Sequence, residues 1–178
     1  MKEIKEILRF APLCAACAEG TFLYFFYFCG TLKTNKMRRI DLIIIHCTAS
    51  RPDQHLTLGM LDQMHQARGW KCCGYHYYIT RDGQLHFGRP EEMVGAHARH
   101  YNAHSIGVCY EGGLDERGRA ADTRTPAQKK ALLTLLCSLK QDYPDAEIVG
   151  HCELEGVHKA CPSFPVSTLR AQIKQLGY

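Results

Sequence analysis

The chain has 178 residues, 46% of them hydrophobic and 22% charged, with a net charge of +4; that length suits one domain with a sizeable core and requires no second one. Five of the 22 basic and three of the 18 acidic residues lie in 1–36, so the remainder carries only +2. With no basic stripe interleaved with aromatics, this argues against a nucleic-acid partner.

Residues 1–36 differ from the rest. MKEIKEILR is charged and helix-like, and residues 10–32, FAPLCAACAEGTFLYFFYFCGTL, are apolar apart from Glu19. The segment is compatible with a signal peptide, a membrane anchor, or an upstream extension from a miscalled start with Met37 as the functional initiator. Glu19-Gly20 splits the apolar run and Pro12 lies inside it, which weakens the first two readings. Membrane contact is therefore expected only if 10–32 serve as an anchor. The globular part is taken as 37–178. It holds seven of the ten cysteines, an odd count that cannot all pair, so it reads as a reduced protein rather than a disulfide framework.

Residues 40–46, IDLIIIH, are almost all apolar or β-branched, as in a strand buried on both faces of a sheet. Thr57 caps a helix expected to run to about Arg68, with Leu58, Leu61 and Met64 at helical spacing and Gly69 as the stop. In GWKCCGYHYYIT, strict alternation places Tyr75, Tyr77 and Ile79 on one strand face and His76, Tyr78 and Thr80 on the other. Arg81-Asp82-Gly83 is a hairpin turn returning into QLHFG. Residues 90–104 form a long irregular loop with three histidines, and SIGVCYEG is the next strand. Thr125-Pro126-Ala127-Gln128 opens a helix with a capping box and proline at its first position, followed by a broad leucine face that Pro144 terminates. AEIVG is a short strand delivering His151, and a last helix covers about Val166 to Leu176. Strands alternating with helices predict an α/β layered domain with functional groups at strand ends.

The loop HCELEGVHKACPSF, residues 151–164, puts His151 and Cys161 ten residues apart, with Lys159 near the thiol. Neutral imidazole and thiolate are both zinc donors. A third ligand is available far upstream in His46, at the end of the first strand. Three protein ligands leave a tetrahedral corner open for water, the arrangement of a catalytic zinc. Cys152, Glu153 and His158 are competing donors in the same loop.

Five ordered segments, IIIHCTAS, GWKCCGYHYYITRDG, VGAHARHYNAHSIGVCYEGG, the TPAQ helix start and HKACPSF, together resemble the zinc-dependent N-acetylmuramoyl-L-alanine amidases of the phage lysozyme type, relatives of the peptidoglycan recognition proteins. The resemblance spans about 38–165 and implies a single domain with a central mixed β-sheet flanked by helices. It also implies one zinc ion on His46, His151 and Cys161, with Tyr75 and Lys159 as catalytic residues and Trp70, His97 and Asn102 lining a peptidoglycan groove. The implied activity is hydrolysis of the amide between N-acetylmuramic acid and L-alanine, by a monomeric endolysin made in the cytoplasm and reaching the wall after lysis or through a pore. Cys152-Glu153 after the second histidine, and a path to Cys161 about two residues longer than in close phage relatives, depart from the family pattern.

Overall fold

The computed structural model describes residues 38–178, so the expectations for 1–36 lie outside the described residues. Ile43, Ile44 and Ile45 are fully buried because their strand, β1 (Leu42–Cys47), runs inside the sheet with cover on both faces. The other strands are β2 (Tyr77–Ile79), β3 (Leu85–Phe87), β4 (Ser105–Tyr110) and β5 (Glu147–Gly150). They assemble in the order β3-β2-β4-β1-β5, with only the β2–β3 hairpin antiparallel. This is the mixed sheet that the family resemblance implies.

Strand alternation divides the core between the two faces. Ile43, Ile45, Ile106, Val108 and Tyr110 pack against the leucines of α2 (Pro126–Asp142) and against Val166, Leu169 and Ile173 of α3 (Val166–Gln175). The opposite face carries Ile44, Tyr78 and Cys109 and is covered by α1 (Leu58–Gln66), by the loop before β4 and by Leu154. The helices on the first face leave the second for the site. No helix among the described residues is long and apolar enough to cross a membrane, and all seven described cysteines are free.

Two local expectations are corrected. Helix α1 is capped by Thr57, whose hydroxyl accepts from Met60 N–H at 3.2 Å, but it ends at Gln66, short of Arg68, and buries Leu61 and His65 while Met64 is exposed. His65 faces inward because its Nδ1 accepts from Gly74 N–H at 3.0 Å, satisfying a buried donor in a way no hydropathy pattern reveals. The second correction concerns Tyr75. Regular pairing begins only at Tyr77, so Tyr75 escapes strand alternation and packs with Tyr78 and Cys109, away from the face of Tyr77 and Ile79.

The predicted capping box is present: Thr125 Oγ1 accepts from Gln128 N–H at 3.1 Å and Gln128 Oε1 accepts from Thr125 N–H at 3.0 Å. Gln128 is also fully buried, and its amide donates to the carbonyls of Ile79 at 3.2 Å and Glu111 at 2.9 Å, tying α2 to the ends of β2 and β4. Gln128→Ala keeps the Thr125 hydroxyl bond to the residue 128 N–H but removes the side-chain half of the capping box and both ties, and is expected to lower stability by about 2–4 kcal/mol, read as a lower urea midpoint with an unchanged slope.

Candidate metal centre

Parallel pairing sets the first two donors side by side. Ile45 pairs with Gly150 across β1 and β5, so the next residues, His46 and His151, leave adjacent strands together, their ring centroids 4.5 Å apart. Neighbouring strands are roughly 4.8 Å apart, so the backbone alone accounts for this distance.

Cys161 is brought in by the loop after β5. Its carbonyl accepts from Cys152 N–H at 2.7 Å, and the next carbonyl, of Pro162, accepts from the buried Tyr110 hydroxyl at 2.6 Å. Its sulfur accepts from Cys47 N–H at 3.3 Å and lies 3.9 Å from His46 Nδ1. The donor atoms of His46, His151 and Cys161 all fall within 4.8 Å of one another. The competing donors are not part of this cluster. Glu153 accepts from Gly150 N–H at 2.8 Å and pairs with Arg170 at 2.7 Å, while Cys152 and His158 are exposed.

Burial, followed by the neighbouring imidazoles and Lys159, holds the His46 pKa well below the usual histidine range. Burial and Lys159 lower His151 in the same direction. Both rings are therefore neutral at pH 7, the state that offers a lone pair to a cation. The Cys161 thiol is pushed up by the adjacent Cys47 sulfur and by burial, and a coordinated cation is the influence that would convert it to thiolate.

The site residues expected from the sequence fall in two places. Tyr75 stacks against His46 with ring centroids 5.1 Å apart, and burial raises its phenol pKa well above the ordinary value, so it stays protonated. Lys159 is exposed, yet close enough for its charge to disfavour protonation of both imidazoles. His97 stands behind His46, with Nδ1 3.0 Å from His46 Nε2. Asn102 and Trp70 lie further out. Asn102 Oδ1 accepts from His97 N–H and Ala98 N–H, both at 2.9 Å, which organises the loop. Trp70 stacks on His65 at 4.7 Å, one ring removed from Tyr75.

Sequence reasoning missed Arg89. This buried guanidinium donates to the carbonyls of Cys72, Cys73 and Val94 at 2.6–3.2 Å, stapling the segment before Tyr75 to the loop that carries His97. An arginine between Gly88 and Pro90 gives no local signal of such a role. Gly74 was also passed over: a Cβ there would meet Ala96 O at 2.3 Å, so only glycine permits this close approach of the same two segments.

Comparison with known proteins gives the family. Residues 36–164 match the family model described as N-acetylmuramoyl-L-alanine amidase. The endolysin of Escherichia phage T7 is 44% identical over 124 residues, covering 70% of this chain and 81% of that protein. A peptidoglycan-recognition protein of Drosophila melanogaster is 30% identical over 130 residues, covering 70% and 69%. Among solved structures, the endolysin amidase LysCS from Clostridium intestinale URNW superimposes with a TM-score of 0.67 at 30% identity, covering 79% of this chain and 86% of that one. The chain thus belongs to the N-acetylmuramoyl-L-alanine amidase family and is an enzyme of its phage endolysin type, hydrolysing that amide bond of peptidoglycan.

Proposed function

We propose that hydrolysis depends on one zinc ion held by His46, His151 and Cys161. The supporting observation is the convergence of two neutral imidazoles and one sulfur from segments remote in the chain. Tetrahedral zinc at bonds of about 2.0–2.3 Å needs donors roughly 3.3–3.8 Å apart; His46 Nδ1 and Cys161 Sγ are already 3.9 Å apart, so the donor set fits with small side-chain shifts. Bound there, zinc acidifies water and polarises the scissile carbonyl.

The chain's own residues supply the rest. The protonated Tyr75 hydroxyl orients the attacking water and relays a proton toward the departing amine nitrogen. The Lys159 ammonium stabilises the negative oxygen of the tetrahedral intermediate. Half-buried Trp70 offers an aromatic wall for the substrate groove, and the loop held by His97 and Asn102 forms its other border.

We further propose that 37–178 is the catalytic domain, acting as a monomer on muropeptide stems. It reaches the wall after lysis or pore-mediated release, or by tethering through 10–32.

Purified protein is expected to clear cell-wall suspensions and to release new L-alanine amino termini without new reducing sugar. A chelator should abolish this and zinc restore it. Full activity after exhaustive chelation would remove zinc from the mechanism.

A further inference from the structure

His97 is built into the sheet with unusual closeness. A Cβ on Gly107 of β4 would meet its ring at 2.5 Å, and a Cβ on Gly95 would do the same. Two glycines therefore make the seat in which this imidazole lies edge-on to His46, at a centroid distance of 5.0 Å and an interplanar angle of 81°. The main chain of His97 is held by Asn102. A ring so confined has one orientation to offer.

The hydrogen bonds around it run in one direction. Ser105 is fully buried and its hydroxyl donates to Tyr101 O at 2.8 Å, leaving a lone pair toward His97 Nε2 at 3.5 Å, the outer limit for such a contact. A His97 proton on Nε2 would use that lone pair, and Nδ1 would then accept from His46 Nε2–H across the 3.0 Å between the two rings. In a neutral imidazole the other nitrogen is then bare, and for His46 it is Nδ1, which faces Cys161. The opposite assignment would put a proton on His46 Nδ1, the nitrogen 3.9 Å from the Cys161 sulfur.

We propose that His97 is a positioning residue for the metal centre: from its glycine seat it accepts the His46 Nε2 proton, fixing the ring and the tautomer that presents Nδ1 to zinc. This rests on His46 being a ligand, and it assigns His97 a role distinct from lining the substrate groove. Partners of this kind commonly change metal affinity by about 10–100-fold.

The test uses the full-length protein. Zinc affinity is read by chelator competition for wild type, His97→Ala, His97→Phe and His97→Gln. Nitrogen-15 spectra of the wild type read the His97 tautomer. His97→Phe fills the seat without an acceptor and guards against a collapse of the Ala variant, whereas the Gln carbonyl restores an acceptor. Zinc affinity about 10–100-fold weaker in Ala and Phe, partial recovery in Gln, and an Nε2–H tautomer at His97 are the expected results. Wild-type zinc affinity in His97→Phe, or a proton on His97 Nδ1, would overturn the proposal and leave the ligand assignment intact. If His46→Ala retained zinc, the ligand assignment would fall first and this inference with it.

Discussion

Cys161→Ala is expected to lose zinc and amidase activity together, by more than the roughly 100-fold ceiling of an indirect partner. Two imidazoles at adjacent strand ends remain, and a pair of nitrogen donors does not enclose a zinc ion. The loss should be local. The Cys161 main chain is held by Cys152 N–H, and the following turn by the Tyr110 hydroxyl on Pro162 O, so neither anchor depends on the sulfur. Chelated Cys161→Ala should therefore keep its fold and unfold only modestly below chelated wild type, since Cys47 N–H loses its sulfur acceptor, while zinc raises the melting temperature of the wild type only, because a ligand that binds the folded state stabilises it. Metal analysis and L-alanine amino-terminus release are the measurements. Retained stoichiometric zinc in the variant would exclude Cys161 as a ligand.

Lys159→Ala and Tyr75→Phe are expected to keep zinc and lose turnover. For Lys159 the fall is about 10²–10³ in kcat, the usual cost of removing one oxyanion donor. The sign for metal binding follows from charge. Lys159 lowers the pKa of His46 and His151, but its positive charge also repels a divalent cation. Near neutral pH, where both imidazoles already lack a proton, the repulsion is what removal relieves, and zinc should bind at least as tightly. For Tyr75, Phe retains the ring against His46 and deletes only the hydroxyl. Parallel loss of zinc and rate in Lys159→Ala would show that the lysine holds the 151–161 loop instead.

Much of the fold was legible because its signals are local. Ile43, Ile44 and Ile45 announce a doubly covered strand, and Thr125 with Gln128 announces a helix start, since each depends on residues a few positions apart. The misreadings share a cause. Met64 was expected inside and His65 is there instead, because a distant backbone donor at Gly74 needed an acceptor. Tyr75 was placed by alternation on the face of Tyr77 and Ile79, yet regular pairing starts two residues later and frees its ring to reach His46.

By itself the sequence determined the donor types: imidazoles at the ends of two apolar strands, a thiol in a proline-stiffened turn, and a lysine two residues before it. It also carried the family, because five ordered segments match together where no single one would suffice. Only the tertiary structure decided which donors meet. His46 and His151 become neighbours because β1 and β5 pair in parallel with Ile45 opposite Gly150, a register set by packing across more than a hundred intervening residues. The same packing turned Glu153 toward Arg170 and seated His97 behind His46. Those outcomes depend on which surfaces are buried together, and local spacing carries no record of that.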